Sequence, residues 1–175
     1  MSTEPLVLDI LIDTREQTPW SWPDDLVRAE RATLRVGDYA LYGDRLFAVE
    51  RKSLPDFAHS VSSGWPNMLD RIDRMTGAGE YAGLDGYPPM VGCPMIVEAT
   101  VDGMINGRLA AAAEGHGVRA TPQFLAKRAA ELLFLGVPVF FAGPPHVAAW
   151  LAYTILRQRR RALDAQQTEK GNDDD

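Results

Sequence analysis

Two hydrophobic periods alternate along this chain. Short apolar runs bounded by turn residues, at Leu6 to Ile12, near 31–36, near 46–51, at Met95 to Ala99 and at Val137 to Phe141, predict strands. Thr18 to Asp25, with Pro19, Pro23 and two tryptophans, reads as a loop. From Leu54 the period lengthens to that of a helix, with Pro55 tolerated in the first turn and Ser53 as its cap. Residues 64–76 continue helically after a break at Gly64 and Pro66, and Gly77 to Gly92, rich in glycine and proline, reads as an irregular excursion. Thr121 and Pro122 open a helix with apolar Phe124, Leu125, Ala129, Leu132 and Leu133, closed by Gly136. Pro144 and Pro145 introduce a last helix that carries Val147, Trp150, Leu151 and Ile155 and runs into Arg157 to Arg161. Strands first, then strands alternating with helices, predict a three-layer α/β domain with a central mixed β-sheet flanked by helices. It spans 1–167, and 168–175 are expected to form a disordered acidic tail. The chain contains no internal repeat.

Composition narrows this picture little. At 175 residues, 46% hydrophobic and 24% charged, the chain is one domain's worth of sequence and long enough to bury a core. Its net charge of −6 looks unfavourable for nucleic-acid binding, yet residues 162–175 alone hold five acids against Lys170. The remainder is close to neutral, so bulk charge neither supports nor excludes such a partner. The single cysteine, Cys93, forms no internal disulfide and suits a reducing compartment. With no basic-then-apolar amino terminus and no stretch long enough to cross a bilayer, a soluble, intracellular, cytoplasmic protein without a membrane partner is expected.

The densest chemistry lies between Gly37 and Asp56. Leu46, Phe47, Ala48 and Val49 form a strand-like run, so the residues after it leave in extended conformation. Glu50 and Lys52 then share one face, roughly 6.6 Å apart, while Arg51 points to the other. Asp38 precedes a turn marked by Gly43 and Asp44, which predicts a hairpin bringing its carboxylate toward that of Glu50. Two hard carboxylates on one magnesium ion, with a lysine beside them to orient or deprotonate water or to stabilise developing charge, are what phosphodiester hydrolysis requires. An exposed, salt-bridged hairpin would use the same residue types.

Gly37, Asp38, an eleven-residue spacer, Glu50-Arg51-Lys52, three residues and Asp56 together resemble the signature of the XPF-type structure-specific endonucleases. Leu11 to Glu16 is similar to the family's first strand, which ends in Asp-x-Arg-Glu, and Pro94 to Glu98 to its later apolar strand closing in glutamate. The resemblance covers roughly residues 8 to 160, most strongly 10 to 60. It implies the restriction-endonuclease-like fold. It also implies a catalytic set of Asp13, Asp38, Glu50, Arg51 and Lys52, with metal held by Asp38, Glu50 and Asp13 and the Arg51 carbonyl as a further ligand. Arg15, Glu16 and Arg51 would line the pocket. Asp56 would accept from Arg15 or Arg51, or else serve as a first-turn helix acid. The implied cofactor is Mg2+, with Mn2+ able to substitute, and the implied products are a 5′ phosphate and a 3′ hydroxyl.

Departures from the family pattern matter equally. Ser62, Ser63 and Gly64 are followed by Trp65 rather than by a basic residue; Arg71 and Arg74 are the substitutes as phosphate contacts, or simply an exposed helical face. No tandem helix-hairpin-helix element accompanies the nuclease segment, so selectivity is expected from its own surface, from subunit pairing or from another protein. The family's dimers make a homodimer, or pairing with another subunit, the expected assembly; Trp150, Leu151 and Ile155 serve either that interface or the core. Arg157, Arg159, Arg160 and Arg161 are phosphate ligands or a solvated helix end. Trp20 and Trp22 stack on a base or plug a core edge. His59, His116 and His146 lack metal-ligand spacing, and Glu98 reads as structural.

These readings converge on a magnesium-dependent endonuclease acting on branched or flapped DNA in repair, recombination or replication. Two others use the same residues: a catalytically inactive nuclease-fold subunit that binds DNA or organises an assembly, and a nuclease of the junction-resolving type.

Overall fold

A computed structural model describes residues 6–76, 89–105 and 120–172. Its strands are β1 (Leu8–Asp13), β2 (Val27–Ala32), β3 (Tyr39–Leu41), β4 (Glu50–Lys52), β5 (Met95–Val97) and β6 (Val139–Phe141). Its helices are α1 (Leu54–Val61), α2 (Trp65–Thr76), α3 (Val101–Ile105), α4 (Pro122–Phe134) and α5 (Pro145–Asn172). One three-stranded sheet has the order β2-β1-β3, with β2 parallel and β3 antiparallel to β1; the other, β4-β5-β6, is all parallel. An antiparallel bridge between Tyr39 and Val49 joins them, so the two behave as one mixed layer.

Side-chain alternation sorts the core into two clusters, one on each side of that layer. Met95, Val97, Ala40 and Ala48 face Phe57, Val61, Met68, Ile72, Leu125 and Leu132 of α1, α2 and α4. Their neighbours Ile96, Tyr39, Leu41 and Val49 face Ala148, Ala152, Tyr153 and Leu156 of α5. Period-2 alternation with both faces apolar is the signature of a sheet covered twice. Each fully buried aliphatic or aromatic side chain stabilises by about 1.5–3 kcal/mol, so the helices are held chiefly by these faces. The helix starts follow local chemistry: Ser53 accepts from the Asp56 N–H and Thr121 from the Phe124 N–H, each with proline in the first turn.

Two expectations need adjustment. The strand expected near 31–36 lies at 27–32, followed by a bend to β3. As the outer strand of its sheet, β2 exposes Arg28, Ala29, Glu30 and Arg31, so its apolar content is too low to mark it. The tail expected from 168 is helical through Asn172; an Arg160–Asp164 pair at 3.5 Å and the Thr168 hydroxyl on the Asp164 carbonyl at 3.0 Å support the last turns locally. Residues 77–88 of the expected excursion, His116 and residues 173–175 lie outside the described residues. Among the described residues no helix is long and apolar enough to cross a membrane.

One glycine sets the position of the acid that follows it. Gly37 has φ +77°, and a Cβ there would sit 2.7 Å from the Ala48 Cβ and 3.1 Å from the Val49 carbonyl oxygen. Gly43 has a similar φ, +83°, but open space around it. Gly37→Ala is expected to cost about 2–4 kcal/mol, left-handed strain plus overpacking, and Gly43→Ala only the strain, about 1–2 kcal/mol. Urea denaturation of both variants measures the difference; equal losses would show that the close approach at residue 37 carries no energy.

Candidate active site

The chain leaves β3 and returns as β4 so that residues 38 and 50 flank the same junction. The Asp38 N–H donates to the Val49 carbonyl at 2.9 Å, and the Arg51 N–H donates to Asp38 Oδ2 at 2.7 Å. Glu50 is 5% exposed, and both oxygens of its carboxylate are paired, with Oε2 taking a single donor: Lys52 Nζ lies 2.9 Å from Oε1, and Arg71 donates to Oε1 at 3.2 Å and to Oε2 at 2.8 Å. Alternation in β4 puts Lys52 on the side of Glu50, and α2 supplies Arg71 from its middle turn. Asp38, Glu50, Lys52 and Arg71 line one pocket of about 670 Å3 with Arg15, Arg35 and Arg74. Five cationic side chains around two carboxylates make this pocket basic in a chain of net charge −6.

The two carboxyls have opposite protonation tendencies. Burial raises the Glu50 pKa, but Lys52 and Arg71 more than offset it, and the net displacement is downward. Burial, then the charge of Glu50, pushes Asp38 up to about 7, against the opposing Arg51 N–H. Carboxyls that disturb one another in this way share a site, and a cation between them would relieve the repulsion.

That donor set fits a hard divalent cation. Asp38 and Glu50, which line one pocket, would hold it. Among the described residues no group of three His, Cys, Asp or Glu side chains converges. Carboxylate oxygens are the hard donors that magnesium takes, whereas zinc sites are built mostly on nitrogen and sulfur.

The other predicted site residues fall into separate places. Asp13, 1% exposed, takes the Arg15 N–H and Nε on Oδ1 (2.8 and 2.7 Å) and Arg15 Nη2 and the Leu34 N–H on Oδ2 (3.0 and 2.7 Å). Four donors fill its oxygens; it aims Arg15 into the pocket. The Arg51 side chain lies across β4 from Lys52, paired with both oxygens of Glu98 at 2.8 and 3.0 Å and with Glu16 at 3.2 Å. Glu16 thus belongs to that second network rather than to the pocket. Asp56 accepts from the Ser53 hydroxyl at 2.6 Å, closing the start of α1, and bonds neither Arg15 nor Arg51. Arg74 pairs with Asp70 at 2.7 Å and still lines the pocket. Trp20 is buried, stacked on Tyr39 with centroids 4.7 Å apart and donating to Glu98 at 2.7 Å, and Trp22 donates to the Ala149 carbonyl at 2.8 Å. Both plug the core.

Neither a protein-family model nor a curated protein matches the sequence. Solved structures do. XPF from Aeropyrum pernix superposes with a TM-score of 0.56 at 22% identity, over 86% of this chain and 61% of that one. The same protein in complex with DNA gives 0.58 at 22% identity, over 89% and 66%. This is the fold of an XPF-type nuclease domain. The chain spans less than two thirds of either XPF chain.

Within the XPF-type fold, Arg35 is the pocket residue that sequence reading passed over. It lies in the bend between β2 and β3 and donates to the Arg74 carbonyl at 2.7 Å. Its nearness to Gly37 and Asp38 was the available signal, hidden because 31–36 read as strand. A second unforeseen contact is the buried pair Arg159–Asp44 at 2.7 Å, from α5 to the β3–β4 turn.

The elevated Asp38 pKa fixes a pH dependence. A carboxyl whose folded pKa lies above its ordinary value favours the folded state fully below about pH 4 and loses that contribution as pH rises through about 7. In chelator, the parent should lose stability relative to Asp38→Asn between pH 5 and 8, as followed by thermal melting. A pH-independent difference between the two proteins would contradict the assigned environment.

Proposed function

We propose that this chain is a metal-dependent, structure-specific DNA endonuclease that hydrolyses phosphodiesters in branched or flapped DNA. The observation that carries the reading is the meeting of Asp38, Glu50 and Lys52 at one basic pocket, on a fold shared with XPF from Aeropyrum pernix, which has been seen in complex with DNA. A bound Mg2+ or Mn2+ would supply Lewis-acid neutralisation of the reacting phosphate. Asp38 and Glu50 would hold that ion in place. Lys52, anchored on Glu50 Oε1, donates toward the attacking water or the developing oxyanion. Arg15 and Arg71 offer planar donors to phosphate oxygens, each oriented by a carboxylate of its own, Asp13 and Glu50. Arg51, fixed by Glu98 and Glu16, keeps its N–H on Asp38 and acts as a positioning residue. Pairing of subunits belongs to the same reading: Val147 and Trp150 of α5 remain exposed beside its buried face.

The test uses labelled flap, fork, four-way junction and linear duplex, with and without Mg2+. Cutting of flap or fork should require the metal, and Asp38→Ala, Glu50→Ala and Lys52→Ala should each lose at least about 100-fold in rate. Variants that cut like the parent would refute the assignment. Tight binding without cutting favours an inactive subunit, and preference for the four-way junction favours a resolvase. Light scattering that finds only monomer at all workable concentrations would remove the pairing.

A further inference from the structure

Three hollows lie side by side across the β1–β3 half of the sheet. The first is the pocket of Asp38 and Glu50. Arg35 and Val36 also line the second, about 450 Å3, which is walled by Leu11, Ala40, Phe47 and Arg45. Leu11 and Tyr42 are common to the second and to a third of about 540 Å3, lined by Arg28 and by the acids Asp9 and Glu30, so the basic part of the row ends at Tyr42. Tyr42 therefore stands as a ridge between two hollows. Tyr42 is 64% exposed while Ala40 and Leu41 just before it are buried, and its N–H is tied to the Asp9 carbonyl at 2.9 Å. The flat apolar surface is thus presented from a fixed backbone.

Charge adds direction to the row. The second hollow is lined by Arg35, Arg45 and one acid, Asp44. Arg159 already occupies that acid from beneath at 2.7 Å, so the wall is cationic in balance. Arg35, held on the Arg74 carbonyl, sits at the passage into the first pocket. A small metabolite would need one enclosed hollow rather than three in series. A peptide added as a strand would need a free sheet edge, whereas this row crosses a face. An exposed aromatic beside two arginines, on an open path into the pocket of Asp38 and Glu50, suits a polymer that carries a flat base and a phosphate in every unit.

We propose that this row is a binding track for the unpaired strand of the nucleic acid. One base stacks on Tyr42, phosphates lie against Arg35 and Arg45, and the strand leads into the pocket of Asp38 and Glu50. The proposal rests on the nuclease reading and deepens it by naming what the enzyme holds beside the cut.

The full chain in chelator, titrated by fluorescence anisotropy with labelled oligothymidylate and with blunt duplex, tests it. Tyr42→Ala should weaken oligothymidylate binding about tenfold, with duplex binding unchanged, and Tyr42→Phe should restore it. Arg45→Ala should weaken binding and lower the salt slope by about one. Parent-like binding by Tyr42→Ala, equal losses on both ligands, or failure of Tyr42→Phe to restore binding would overturn the track. Mg2+-dependent cutting by the parent is scored separately. A parent that cuts while Tyr42→Ala binds normally removes the track alone. Tyr42-dependent strand binding by a parent that never cuts supports the track and removes the nuclease reading.

Discussion

Three short backbone hydrogen bonds at Val49 hold this molecule together where it is otherwise two half-sheets. The Val49 carbonyl accepts from the N–H groups of Asp38 and Tyr39 at 2.9 and 3.1 Å, and its own N–H donates to Tyr39 at 2.7 Å. Tyr39 and Val49 are completely buried, so no water can replace these bonds if they are broken. Because the junction lies one residue from Asp38 on one side and one from Glu50 on the other, structural closure and assembly of the acidic pair are the same event. Tight approach at Gly37 is a requirement of that closure, since any side chain there would meet Ala48.

Charge is managed by using the two faces of one very short strand. Burying a lone carboxylate such as Glu50 costs several kcal/mol, and Lys52 from the same strand and Arg71 from α2 offset it. On the reverse face Arg51 enters a separate network with Glu98 and Glu16, to which Trp20 also donates. Alternation keeps the systems apart, so Arg51 can be immobilised without withdrawing a cation from the pocket. The backbone between them links both: the N–H of Arg51 reaches Asp38.

Much of this was legible along the chain because it depends on local rules. The side-by-side placement of Glu50 and Lys52 follows from extended geometry, and the starts of α1 and α4 follow from Ser53-Leu54-Pro55 and Thr121-Pro122. What the sequence concealed was decided by partners distant in the chain. β2 lacks an apolar signature because it is an outer strand. Arg51 and Glu16 read as pocket residues until Glu98, far along the chain, claims the guanidinium. Asp13 carries the family's acid, but its oxygens are filled through Arg15 and the bend at Leu34. Arg71, read as a phosphate contact or a helix-surface cation, is brought into the pocket by its pairing with Glu50.

The Arg159–Asp44 pair spans 115 positions, and among the described residues α5 provides the helical cover over Tyr39, Leu41, Val49 and Ile96. During synthesis from the amino terminus, every strand emerges before that helix. One apolar side of the sheet and the Asp44 carboxylate must therefore wait, uncovered, until α5 has left the ribosome. Until then the side of Tyr39, Leu41, Val49 and Ile96 lacks the α5 residues that pack on it, and such uncovered apolar strands are open to non-native association.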